Sequence, residues 1–182
     1  MKTRKFITPN SIGAKEIKIL RNKLGMTQAE FALFCNVSKP TVERWETSDK
    51  KISGPVTLLA QIVLRQPEIV EQLMLPEKKY PLRLWYYYLD TVCTIIDVDI
   101  INQRVSIKNY TDNLIYRAFG RNEHPTFADY EEFLRSRCFP EERDKMKLML
   151  RELDIPFYDP LMIIEKTDGR MAEDDFWIKI ER

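Results

Sequence analysis

Histidine is nearly absent from this chain and cysteine is sparse. His124 is the only histidine, and the three cysteines, Cys35, Cys93 and Cys138, lie far apart and are odd in number. No CxxC pair and no Cys/His cluster occurs, so neither a disulfide framework nor a zinc site is expected, and no cofactor is assigned. No apolar stretch reaches the ~20 residues that a membrane-spanning helix needs, and the N-terminus lacks the apolar run of a signal peptide. A soluble cytoplasmic protein with no membrane partner is the expectation. No internal repeat or low-complexity run appears either.

What is present is enough for one large domain or two small ones: 182 residues, 44% of them hydrophobic, so a packed core is within reach of the composition. The formal net charge is only +1, but it is unevenly placed. Residues 1–75 hold twelve Lys/Arg against seven Asp/Glu, whereas residues 76–182 hold seventeen against twenty-one. This asymmetry suits a nucleic-acid-binding N-terminal half and a C-terminal half with another task. At the start, Lys2, Arg4 and Lys5 form either a basic arm that touches phosphate or a frayed terminus.

The most informative stretch is MTQAEFALFCNVSKPTVERWETS, from Met26 to Ser48. Thr27 can N-cap a helix, and Glu30, three residues on, completes a capping box. Asn36 tolerates a left-handed turn. Ser38 caps a second helix, with Pro40 in its first turn, where the missing N–H is harmless. That helix sets Val42 and Trp45 on one side and leaves Lys39, Thr41, Glu43 and Arg44 elsewhere. Around it, Ser11–Leu24 reads as a helix with Ile17, Leu20 and Leu24 on one stripe and Gly25 as its C-cap. Gly54-Pro55 opens a helix over 56–65 with Leu58, Leu59, Ile62 and Val63 as its apolar face. Pro67 starts a last short helix ending near Met74.

This pattern resembles the helix-turn-helix of the lambda-repressor/Cro-like (XRE) family, and in particular its small antitoxin-type regulators. The resemblance covers roughly residues 11–74 and rests on Gln28, Ala29–Ala32, Val37-Ser38 and Trp45-Glu46. It implies that the helix over 38–47 lies in the major groove of double-stranded DNA. Lys39, Pro40, Thr41 and Arg44 would then face the bases. Lys39 and Arg44 can donate to guanine O6 and N7, Arg44 bidentately, while Pro40 offers an apolar contact where the family commonly has a polar residue. Thr27, Gln28 and Ser38 would hold phosphates. Lys50 and Lys51 either do the same or belong to a solvated loop. The resemblance also pairs Arg21 with Glu46, while Trp45 falls on the Val42 face and reads as core rather than contact.

Leu75–Pro81 carries two prolines and three charges and reads as a linker, so the expected division is 1–75, a 76–81 linker and 82–182. Beyond it, Leu82–Tyr88 is strand-like, though a short helix is an alternative. Thr91–Asp99 and Gln103–Tyr110 read as a hairpin. Helices are expected from Thr111 to Gly120, from Thr126 to Cys138, and from Pro140 with Met146, Leu150 and Leu153 buried. Leu161–Lys166 and Asp175–Glu181 then flank Asp168-Gly169 as a second hairpin. The order hairpin, helices, hairpin resembles the PAS sensor fold, carried by Ile95–Asn109, Phe139–Leu150 and Ile163–Ile180. The expected class is therefore α+β: a five-helix helix-turn-helix domain followed by a PAS-like antiparallel sheet with helices.

Enzymatic chemistry is disfavoured. Glu173, Asp174 and Asp175 form an acidic run beside Glu165, Lys166 and Lys179, but such pairs are common on exposed strands and no catalytic set anchors them. His124, before Pro125, reads as a surface histidine. Trp85, Tyr86, Tyr87 and Tyr88 line a pocket, a sheet face or a dimer interface. The reading is a sequence-specific DNA-binding transcriptional regulator. A homodimer is expected, held mainly by residues 82–182, because the N-terminal part shows no spare apolar helix while Trp85–Tyr88, Phe176 and Trp177 look surplus. A small-molecule ligand or a protein partner is assigned to the C-terminal domain. The alternative is an antitoxin-type protein that neutralises a toxin through that domain and autoregulates its operon.

Overall fold

The computed structural model describes residues 6–142 and 144–182. The chain divides into two compact units, the first running to Met74 and the second spanning Leu75–Arg182. Lys2, Arg4 and Lys5 lie outside the described residues. No helix among the described residues is long and apolar enough to cross a membrane.

The first unit is built from α1 (Ala14–Lys23), α2 (Gln28–Phe34), α3 (Lys39–Thr47), α4 (Pro55–Arg65) and α5 (Glu68–Leu73). Local chemistry ends these helices. After α1, Gly25 takes φ 68°, and the N–H groups of Gly25 and Met26 return to the carbonyls of Asn22 and Arg21. After α2, Asn36 does the same at φ 53°, with Asn36 and Val37 donating to Leu33 and Ala32. Both are Schellman closures, in which a residue tolerant of the left-handed region satisfies the last carbonyls. The first helix begins at Ala14 rather than Ser11, because Ile12 is drawn into a two-way backbone bridge with Ile52. Ile17 and Leu20, Phe31 and Ala32, Val42, Ala60 and Val63, and Val70 bring all five helices into one core, with Trp45 packed against it.

The inward face of α4 differs from the expected one. Thr57, Ala60 and Val63 are buried, whereas Leu58 and Ile62 are exposed together with Leu64. Gly54 explains the rotation: at φ 105° it enters the helix from a conformation open to glycine, and its carbonyl accepts the Thr57 N–H and hydroxyl. The small residues Thr57 and Ala60 face the core while the larger Leu58 and Ile62 do not, so bulk alone did not select the buried side. Leu73 and Met74 are exposed as well, so the first unit does carry spare apolar surface, contrary to expectation.

The second unit holds one antiparallel sheet, β1 (Leu82–Tyr88), β2 (Thr91–Asp99), β3 (Arg104–Asn109) and β4 (Phe176–Glu181), in the order β3-β2-β1-β4. Leu82–Tyr88 is thus a central strand and the Thr91–Asn109 region the expected hairpin. Between β3 and β4 lie α6 (Phe127–Ser136), α7 (Met146–Glu152) and α8 (Pro160–Thr167). One sheet face, with Leu82, Leu84, Tyr86, Ile96, Val98 and Ile178, packs on Tyr130, Phe133 and Leu134 of α6 and on Ile163 and Ile164 of α8.

Three expected elements differ. Leu161–Lys166 is helix α8, not a strand. Asp159 caps it by accepting the Met162 N–H at 2.9 Å, and Pro160 sits in its first turn. Adjacent Ile163 and Ile164 are both buried, which a strand packed on one face would not allow; capping and packing override the β-branched composition. Asp168-Gly169 is accordingly a helix end, with both residues left-handed, and β4 pairs with β1. One of the three stretches that carry the PAS resemblance is therefore a helix and a strand. Between Thr111 and Gly120 there are turns instead of a helix, because side chains take the backbone's partners: Thr111 Oγ1 accepts from Asn113, Asn113 Oδ1 accepts from Ile115, and Arg117 Nε donates to the Thr111 carbonyl. The helix expected from Pro140 starts at Met146, after turn residues at Glu141 and Glu142; Arg143 lies outside the described residues. The Thr126 helix forms as expected, boxed by Asp129.

The stretch 76–81 is bonded to the sheet. Arg83 of β1 and Asp97 of β2 face each other across the strands and form a buried bidentate pair at 2.6 and 2.8 Å. Arg83 also donates to the Pro76 carbonyl, and Asp97 accepts the Lys79 N–H. The aromatic run is largely consumed within the unit: Tyr86 is buried and stacks on Phe176, Tyr88 stacks on Tyr116, and Tyr87 stacks on Trp177 at 4.3 Å.

Candidate nucleic-acid interface

The two helices of the motif, α2 and α3, each start at a hydroxyl-bearing N-cap, Thr27 and Ser38. Thr27 accepts the Glu30 N–H and Glu30 returns a carboxylate to the Thr27 N–H at 2.7 Å, closing the capping box. The Thr27 N–H holds the Glu30 carboxyl below its usual range. Ser38 is the N-cap of α3, but its hydroxyl shares a 2.9 Å hydrogen bond with that of Thr41 instead of reaching backbone.

On α3, Val42 is buried and Trp45 packs on the core. The opposite side carries Lys39, Pro40 and Arg44, all exposed, with Thr41 half-buried between them. Lys39 forms an i,i+4 ion pair with Glu43 at 3.3 Å, both side chains about half exposed. Sequence reasoning left Glu43 without a role, although the spacing of opposite charges was there to see. Lys50 and Lys51 are exposed beyond the C-terminus of α3. Their loop is ordered by two contacts not foreseen: Ser48 Oγ accepts the Lys50 N–H, and the Ile12–Ile52 bridge closes its far end.

Beneath this surface, Arg21 of α1 clamps Glu46, the penultimate residue of α3. Nε and Nη2 reach the two carboxylate oxygens at 2.6 and 3.2 Å, and Nη1 donates to the Met26 carbonyl. Gln28 of α2 adds a third tie, its amide N–H donating to Glu46 at 2.8 Å. One carboxylate therefore joins the first three helices. The Arg21 hydrogen bonds hold the Glu46 carboxyl well below the usual range, and the same contacts raise the Arg21 guanidinium. Gln28 thus engages Glu46 through its amide nitrogen. Cys35 packs against the core of the first unit, its thiol pushed up to about 11 by burial.

The residues singled out in the second unit fall apart as a site. Asp174 is the bidentate partner of Arg137 at 2.7 and 2.9 Å, and this contact lowers its carboxyl. Arg137 also donates to the Gly169 and Phe176 carbonyls, so the acidic run serves to pin the α8–β4 connection to the end of α6. His124 is exposed. Among the described residues no group of three or more His, Cys, Asp or Glu could hold a metal ion.

No curated protein matches this chain. Residues 17–56, from within α1 to the first turn of α4, match the Helix-turn-helix family model. The N-terminal part of the chain carries a helix-turn-helix of the XRE type, the fold of DNA-binding transcription regulators.

Proposed function

We propose that the protein is a sequence-specific DNA-binding transcriptional regulator whose helix α3 enters the major groove. The observation that carries this reading is the two-sidedness of α3: Val42 and Trp45 anchor it to the core while Lys39, Pro40 and Arg44 stand exposed on the far side. Arg44 reads guanine bidentately, Lys39 leaves Glu43 to reach a base or phosphate, Pro40 packs on a thymine methyl, and Thr41 completes the base-facing set. Thr27, Gln28 and Ser38 lie at the N-terminal ends of α2 and α3, where backbone N–H groups and the helix dipole favour phosphate. Lys50 and Lys51 follow as cations on the neighbouring backbone.

Because a single module covers little DNA, two copies reading half-sites about one helical turn apart, ~34 Å, complete the reading. Selection of bound fragments from a random DNA pool tests it. A recovered motif with dyad symmetry is the expected result. Recovery of no motif, with binding equal on all sequences, would overturn sequence-specific recognition.

A further inference from the structure

We propose that the second unit binds an apolar, cationic small molecule in a cleft of about 520 Å³, formed where α7, α8, the end of α6 and the α8–β4 connection meet. That volume falls in the range of small-molecule sites, roughly 300–1,000 Å³, which are mostly apolar with a few convergent polar groups. Phe139, Met149, Leu153, Ile163 and Met171 supply the apolar lining. Two of these are methionines, whose unbranched, polarisable side chains adapt to varied apolar shapes.

The charges around the cleft choose the sign of the ligand. Arg137 lines it, but its guanidinium is already bound by Asp174 and by two backbone carbonyls. Arg170 lies over the Trp177 ring at 5.0 Å and 3.9 Å from Asp168, so it too is engaged. Glu152 and Glu173 are the remaining charges in the lining; both are exposed and neither has an ion pair among the described residues. The Cys138 thiol donates to the Pro160 carbonyl and is pushed up to about 12 by burial, so it contributes no charge. An apolar body therefore meets the lining while a positive group meets the two carboxylates. An anion of the same shape meets these two carboxylates, the repulsive element that gives discrimination.

The test uses the full chain without DNA, so its outcome is separate from that of the DNA-binding reading. Berberine, a planar aromatic cation, is titrated by fluorescence, and 1-anilinonaphthalene-8-sulfonate serves as the apolar anion. Saturable one-to-one berberine binding, not displaced by the anion, is expected. Glu152→Gln with Glu173→Gln, both at exposed positions, should weaken it by about three- to tenfold, the size of partly screened charge contacts. Met149→Trp, which fills the cleft, should abolish it; far-ultraviolet circular dichroism and the anion titration report whether that variant still folds. Absence of saturable berberine binding would overturn the proposal. So would equal binding of cation and anion, or a double glutamine variant with unchanged affinity.

Discussion

Removing either partner of the Arg21–Glu46 clamp should destabilise the first unit, and unequally. Their side chains are 14% and 4% exposed, so Glu46 is the more deeply placed charge. For charge centres about 4 Å apart at an effective dielectric of about 20, the attraction is roughly 4 kcal/mol before desolvation is subtracted. Arg21→Ala leaves Glu46 with only the Gln28 amide, so the expected loss is about 3–5 kcal/mol, as for a buried charge deprived of its partner. Glu46→Ala leaves Arg21 its bond to the Met26 carbonyl and more access to water, so about 2–3 kcal/mol is expected. The double variant should show a coupling of about 1–3 kcal/mol. Two units are present, so a single global transition cannot be assumed. The assay is urea unfolding followed by fluorine NMR of 5-fluorotryptophan protein, in which Trp45 reports the first unit apart from Trp85 and Trp177. A coupling within about 0.5 kcal/mol of zero would refute the reasoning, as would Glu46→Ala proving the costlier change.

Arg44→Ala should lose about 1–3 kcal/mol of preference between the selected operator and random DNA, while Lys50→Ala should weaken binding to both and reduce its salt dependence; salt-dependent titrations of both DNAs separate the two roles. Tyr130→Phe should be neutral or stabilising by about 1 kcal/mol, because the Tyr130 hydroxyl is buried without a hydrogen-bond partner among the described residues; a loss above about 1 kcal/mol in chemical denaturation of the second unit would contradict this. The carboxyls of Glu46 and Asp174 are lowered in the folded protein, so the unfolded chain takes up their protons first as pH falls. Their contribution is complete above the ordinary carboxylate range and is lost as pH falls through their depressed folded values. Glu46→Gln should therefore flatten the acid limb of the first unit's stability profile. Light scattering on the full chain should report a dimer at micromolar concentration; a monomer whose selected operator lacks a dyad would remove the two-copy reading.

The helix-turn-helix was legible in the sequence because what defines it is local. Thr27 with Glu30, Asn36 in the left-handed region, Ser38 before Pro40, and Val42 with Trp45 on one face are fixed within a few residues of each other, so spacing alone implies geometry. The Arg21–Glu46 pair was reached through family resemblance, whereas its third member, Gln28, appears only when α1, α2 and α3 are packed together. Tertiary structure alone decided which side of α4 is buried, since Thr57, Ala60 and Val63 face the core in place of the larger Leu58 and Ile62. It also decided that Leu161–Lys166 is helical and that β4 joins β1. The apolar pattern of that segment suits either a strand or a buried helix, and the Asp159 cap together with burial of two adjacent isoleucines selects the helix. The Arg83–Asp97 pair shows the same limit. Each residue is unremarkable in its own strand, and only the cross-strand register, with Pro76 and Lys79 closing over it, makes them a buried pair. Sequence determines what short-range capping and periodicity can encode; register, strand order and the burial of charge depend on partners far away in the chain.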